Sequence, residues 1–313
     1  MAFDRLIEKI CELQNPTVAG LDPKLDYIPG SICEKAYAEH GKTLEGAAAA
    51  VLEFNKGIID ALCDIVPAVK PQCAYYELYG WQGMKTLHDT IQYAKSKGLF
   101  VIVDGKRNDI GSTMQAYAAA YLGKTGVAGE KSAAFGADAL TVNGYPGSDG
   151  VLPLLDVCRE EDKGIFILDK TSNRSSDELQ DQSFEGGETL YEAMGRFCEE
   201  WGKSLPGKYG YSGVGAVVGA TWPEQLTQLR VMLPHTFFLV PGYGAQGGDA
   251  DSAAPAFDSN GNGAIVNASR SILCAWKKED APQEKYAECA RKEAERMRDE
   301  IIKRVGKIRL EKV

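Results

Sequence analysis

Eight short runs of apolar, mostly β-branched residues recur along this chain, each separated from the next by enough residues for a helix. They occupy 17–22 (TVAGLD), 68–72 (AVKPQ), 99–106 (LFVIVDGK), 137–143 (ADALTVN), 164–172 (GIFILDKTS), 215–222 (GAVVGATW), 236–244 (TFFLVPGYG) and 264–270 (AIVNASR). Continuously apolar runs, as opposed to alternating ones, suit parallel strands covered on both faces. Helical patterns at 44–64, 83–97, 113–122, 186–203 and 223–232 fall between them, and 283–305 follows the last run. At Pro223 the missing N–H costs nothing in a first turn, and Glu224 meets the positive end of the helix dipole. Eight alternations in 313 residues predict an α/β fold, a single-domain (β/α)8 TIM barrel spanning 1–313 with an N-terminal and a C-terminal helix. A doubly wound open sheet is the alternative, but no G-x-G-x-x-G follows the first run, as a dinucleotide fold would want.

The charge balance narrows the partners. A net charge of −9 argues against a nucleic-acid surface, which needs clustered surplus Lys and Arg. It leaves room for an anionic small substrate, because a local basic pocket can sit in an acidic protein. No stretch approaches the roughly 18 consecutive apolar residues of a membrane helix. The N-terminal MAFDRLIEKICELQNP is charged and amphipathic, unlike a signal peptide, and a cytoplasmic location is expected. The eight cysteines are scattered without a C-x-x-C pair, so they read as reduced, buried small hydrophobes and not as zinc ligands. His40, His88 and His235 lie far apart without carboxylate or thiol neighbours at ligand spacing and read as structural.

In a barrel of this kind the chemistry sits at the C-terminal ends of the strands. There the third run delivers FVIVDGKRNDIGSTMQAY, residues 100–117, crowding Asp104, Lys106, Arg107 and Asp109 onto the lip of the core. Residues two apart on a strand share a face, so Asp104 and Lys106 are expected to point together into the barrel mouth, with Lys70 beside them. Asp109 falls past the strand end. Alternating carboxylates and ammonium groups stabilise one another's charged forms. Flanking aspartates therefore keep Lys106 an ammonium, unsuited to Schiff-base formation and suited to holding a developing anion and donating a proton to it. The same D-x-K-x-x-D could be a structural salt bridge at the rim. Against that stand Arg270 after the eighth run and the glycine-rich PGYGAQGGDADSAA after the seventh, where barrels often bind phosphate. Backbone N–H groups of such a turn and a bidentate guanidinium together make a phosphate grip.

With those residues in place the chain resembles orotidine 5′-monophosphate decarboxylases of the longer bacterial type. The likeness rests on GLDP at 20–23, the lysine of AVKPQ, DGKRNDIGST at 104–113, KTSN at 170–173, VVGAT at 217–221, VPGYGAQGGD at 240–249 and VNASR at 266–270. It implies metal- and cofactor-free conversion of orotidine 5′-monophosphate to UMP and CO2 in pyrimidine biosynthesis, by a homodimer. It further implies that Lys70, Asp104, Lys106 and Asp109 form a charged catalytic tetrad, Lys106 stabilising and protonating the C6 carbanion. Asp109 and Thr113 would reach across the dimer interface. Asp22 and Lys70 would hold ribose hydroxyls, Thr171 and Ser172 the pyrimidine edge, Gln246 the closing loop, and Arg270 the phosphate. Gln72 stands where some relatives carry Asn, the insert 173–187 is long, and 25–43 reads as surface decoration. The rival readings are a magnesium-dependent sugar-phosphate decarboxylase of the same suprafamily, a class I aldolase, and a non-catalytic phosphate-ligand binder.

Overall fold

A computed structural model describes residues 1–244 and 246–312. Each of the eight apolar runs forms one strand of a closed parallel barrel, in the order β1-β10-β9-β8-β7-β6-β3-β2. The strands are β1 (Thr17–Leu21), β2 (Ala68–Pro71), β3 (Phe100–Arg107), β6 (Ala139–Val142), β7 (Gly164–Leu168), β8 (Val214–Val217), β9 (Phe238–Val240) and β10 (Ala264–Ala268). The remaining two, β4 (Thr125–Val127) and β5 (Glu130–Ser132), form a separate antiparallel hairpin whose residues are all exposed. It lies outside any apolar run, and the sequence reading has no counterpart for it.

The two-residue strand period sorts every strand into two apolar layers. Val18, Ala68, Phe100, Ile102, Ala139, Phe166, Val217, Leu239 and Ile265 fill the lumen. Their neighbours Ala19, Val69, Val101, Val103, Leu140, Ile165, Ile167 and Val266 face the surrounding helices. Continuing the inward parity upward places Asp22, Lys70, Asp104, Thr141 and Asn267 at the open C-terminal end of the lumen. The opposite end is closed by the N-terminal helix Ala2–Leu13, which the sequence expectation treats only as amphipathic. Its Phe3 stacks on Phe166 at 4.7 Å between centroids and lies 5.7 Å from Phe237. Gly164 is required there, since a Cβ would come within 2.5 Å of the Phe3 ring. Truncating a fully buried phenylalanine of this kind costs about 3–5 kcal/mol.

The helices follow the predicted pattern with small shifts at their ends. Leu44–Leu62 begins at Thr43, whose hydroxyl accepts the Gly46 N–H. Leu190–Gly202 begins at a Thr189/Glu192 capping box, several residues later than its apolar pattern starts. A helix at Leu152–Glu161 covers the step from β6 to β7. The segment 25–43 is more than decoration: it contains a helix, Gly30–His40, and is tied to the chain after β10. The Trp276 indole donates to the Tyr27 carbonyl at 3.2 Å, and Gly30 N–H donates to Gln283 at 2.7 Å. Among the described residues no helix is long and apolar enough to cross a membrane.

One step past β7 the outward parity gives a buried acid. Among the described residues both Asp169 carboxylate oxygens lack a hydrogen-bond partner, and a Cβ at Gly195 would sit 3.2 Å from one of them. Burial pushes the Asp169 carboxyl well above its ordinary value, and the nearby Lys170 offsets this only in part. The folded chain therefore keeps the proton as pH rises above about 4 while the unfolded chain releases it, so this contribution to stability is full at low pH and drains as pH rises. Between pH 5 and 8 the wild-type melting temperature is expected to fall by at least about 2 °C more than that of Asp169→Asn, in which the site cannot titrate. Parallel melting curves would contradict this.

Candidate active site

The open end of the lumen carries a chain of alternating charges. Lys70 Nζ, on β2, donates to Asp104 Oδ2 at 2.7 Å. Lys106 Nζ, on β3, donates to Asp104 Oδ1 at 2.6 Å. Thr141 Oγ, on β6, donates to the same Oδ1 at 2.8 Å and accepts the Lys106 backbone N–H at 2.9 Å. Both Asp104 oxygens are thus taken by ammonium and hydroxyl donors, which is the arrangement of an ion-pair relay and not of a carboxylate cage. Burial alone would raise the Asp104 carboxyl, but Lys70 and Lys106 outweigh it and hold the group well below the usual carboxylate range. Burial works against the Lys70 ammonium as well; Asp104 and Asp22 overcome it and raise its pKa.

Lys106 reaches this position by a different route from the one expected. The β3–β6 register shifts between Val103 and Arg107, and Lys106 itself is left-handed at φ 47°. A continuous two-residue strand period therefore does not carry Asp104 and Lys106 to one face; a bulge aims the ammonium back at the carboxylate. Arg107 clamps the far side of that bulge. It donates to the Gly105 carbonyl at 3.0 Å and to the Tyr121 hydroxyl at 3.2 Å, and it pairs with Glu77. Lys106 retains 46% side-chain exposure against 5% for Lys70, so its ammonium is the member of the set open to a ligand.

Beside this relay lies a cavity of about 370 Å³, within the range of small-molecule sites. Asp22 joins the two: it lines the cavity and interacts with Lys70, Asp104 and Lys106. Burial raises the Asp22 carboxyl, with Lys70 opposing. Among the described residues Asp22 Oδ1, Asn267 Oδ1 and Ser269 Oγ are buried, without hydrogen-bond partners, and belong to residues of the cavity wall. Three unmet polar atoms in one wall suit a ligand rich in hydroxyls. Arg270 lines the same cavity with Gly242, Tyr243 and Gln246 of the glycine-rich loop. That loop is folded on itself: Gly244 N–H donates to the Gly248 carbonyl at 2.7 Å and Gly248 N–H to the Gly242 carbonyl at 3.0 Å. Gly242, Gly244 and Gly247 all take positive φ, of 99°, 74° and 100°. Tyr243 anchors the loop through a 2.6 Å bond to Glu300.

Of the ten residues singled out from sequence, Lys70, Asp104 and Lys106 meet directly, and Asp22, Gln246 and Arg270 line the adjoining cavity. Thr171 and Ser172 approach from β7. Ser172 packs so closely on Gly219 that a Cβ there would stand 2.7 Å from its Cα, and it lies against Gly242. Thr171 is engaged by the insert after it: Gln180 accepts the Thr171 N–H at 3.0 Å and donates to its hydroxyl at 2.8 Å. Lys170, fully buried, ties the same insert down through Asp181 at 2.6 Å and Ser176 at 3.1 Å. Asp109 and Thr113 are exposed, and among the described residues Asp109 bonds locally, to the Ile110 N–H at 2.7 Å. Gln72 caps a turn by accepting the Ala74 N–H at 3.2 Å. Thr141 and Gln180 were missed in the sequence reading. Among the described residues, no three His, Cys, Asp or Glu side chains converge as a metal site.

Residues 50–284 match the model of the "Orotidine 5′-phosphate decarboxylase / HUMPS family". A Rhodopirellula baltica protein named orotidine 5′-phosphate decarboxylase is 47% identical over 264 residues, covering 84% of this chain and 85% of that one. One of the same name from Caldicellulosiruptor bescii is 44% identical over 274 residues, covering 88% and 90%. The solved structure of Leishmania donovani OMP decarboxylase superposes with a TM-score of 0.71 at 30% identity, covering 95% of this chain and 99% of that one.

Proposed function

Because the chain belongs to the orotidine 5′-phosphate decarboxylase / HUMPS family, we propose that it converts orotidine 5′-monophosphate to UMP and CO2, a step of pyrimidine biosynthesis. The observation that carries this reading is the Lys70–Asp104–Lys106 relay joined through Asp22 to a cavity that Arg270 also lines. The magnesium-dependent rival is not favoured, since the close relatives are named for the nucleotide reaction and Asp104 spends its oxygens on ammonium donors.

In this account Arg270 and the 242–248 loop grip the phosphate, and Asp22 with Lys70 holds the ribose hydroxyls. Thr171, Ser172 and Gln246 meet the pyrimidine. The C6 carboxylate then lies beside Asp104 and Lys106. The bond from C6 to the carboxyl carbon breaks, CO2 departs, and the electron pair stays on C6. Lys106, already an ammonium bonded to Asp104, stabilises that pair because its charge stands where charge develops. It then transfers a proton to C6 and recovers one from solvent. The phosphate is remote from the broken bond, yet its binding can be expressed as rate by organising the site. Asp109 and Thr113 complete the neighbouring subunit's site in a cytoplasmic homodimer, a role supported by their exposure and by the exposed Ile110 between them.

Thr141 is a positioning residue in this scheme, acting through Asp104 and the Lys106 backbone. Thr141→Val keeps the shape and removes both bonds, and is expected to lower kcat about 10–100-fold with KM changed less than about threefold. Thr141→Ser is expected to restore most of the loss. A serine variant as impaired as the valine one would mean that the methyl, through packing, is what matters.

The function itself is tested by adding purified protein to orotidine 5′-monophosphate in excess EDTA. Loss of the orotidylate absorbance with matching UMP is the expected result. Turnover that appears only after adding magnesium would overturn the roles given to Asp104 and Lys106.

A further inference from the structure

A second cavity, of about 550 Å³, adjoins the first and shares Arg270 with it. Its wall carries Arg270, Lys277, Lys278 and Arg296 against the single carboxylate of Glu293. Glu293 is spent on Arg296, which it grips through both oxygens at 2.7 Å, and Arg296 also reaches Glu300 at 2.5 Å. Lys277 is held in place by the Asp26 carbonyl and by the Trp276 ring, 5.3 Å from its ammonium. In a chain of net charge −9, this leaves a concentrated positive surplus on the outer side of Arg270. A nucleoside monophosphate would have no group that extends beyond Arg270 to use it.

We propose that this cavity is an accessory anion site that takes the β-phosphate of a pyrimidine nucleoside 5′-diphosphate, whose base, ribose and α-phosphate occupy the first cavity. The inference rests on the nucleotide reading of that cavity and adds a regulatory ligand to it: a later product of the same nucleotide series competes with substrate. The shared Arg270 is placed to stand between the two phosphoryl groups, with Lys277 and Lys278 on the far one.

The test compares UMP and UDP as competitive inhibitors of the whole enzyme, wild type and Lys277→Gln/Lys278→Gln. The expected result is that UDP binds wild type at least as tightly as UMP. In the double variant UDP is expected to weaken about fivefold or more while UMP stays within about twofold. UDP weaker than UMP on the wild type, or indifferent to both substitutions, overturns the accessory site and leaves the nucleotide reading standing. Failure of UMP itself to bind overturns that reading, and this inference with it. The wild-type comparison needs no variant to fold.

Discussion

Replacing Lys106 with alanine is expected to lower kcat/KM by at least about 10⁴-fold. The group does two things in the proposed reaction. It supplies the positive charge beside the C6 electron pair, a contribution of about 10²–10³ for a single preorganised donor. It also supplies the proton, a general-acid contribution of about 10²–10⁴. Neither can be replaced in place, because Lys70 is buried and already committed to the other Asp104 oxygen. The side chain is 46% exposed, so truncation removes chemistry without opening a core cavity. A variant that keeps even a hundredth of the activity would show that the proton and the stabilising charge come from elsewhere.

Nearly as large an effect is expected from mixing two dead chains. Lys70→Ala and Asp109→Ala should each be almost inactive alone. In a heterodimer with shared sites, one site receives both lesions and the other receives neither. Random pairing of equal amounts then restores about a quarter of wild-type activity. The prediction follows from where the structure leaves Asp109: on the exposed segment after β3, bonded among the described residues to its own neighbour and not to the Lys70–Asp104–Lys106 relay. Mixtures that stay as inactive as their components, under conditions where the subunits exchange, would place every catalytic group in one chain and make Asp109 a surface residue.

The barrel was legible because its strands are buried on both faces and so read as unbroken apolar runs; each of the eight became a strand. Helix starts with a physical signal were legible too, as at Pro223, where the helix begins. The 125–132 hairpin was not, since its residues are exposed and carry no periodic pattern. Nor was the helix Gly30–His40, which buries only Ala36 and so shows little amphipathic signal. At the site, the pairing of Asp104 with Lys106 was anticipated but its geometry was not. The bulge at Lys106 depends on Arg107 reaching Tyr121 and Glu77, contacts made by folding and invisible in a strand period. Thr141 illustrates the same limit: it lies within an apolar run, and its partners are 35 and 37 residues away. The Gln180 clamp on Thr171 comes from a polar insert whose composition says nothing about which residue folds inward.

The central claim is that Lys106 delivers a proton to a carbanion at C6. By microscopic reversibility the same group must remove the C6 proton of bound UMP. The direct measurement is therefore exchange of the C6 hydrogen of UMP in D2O, followed by proton NMR, with wild type and Lys106→Ala side by side. The account predicts slow loss of the C6 resonance with wild type and none above background with the variant. Exchange at equal rates with both proteins would contradict it.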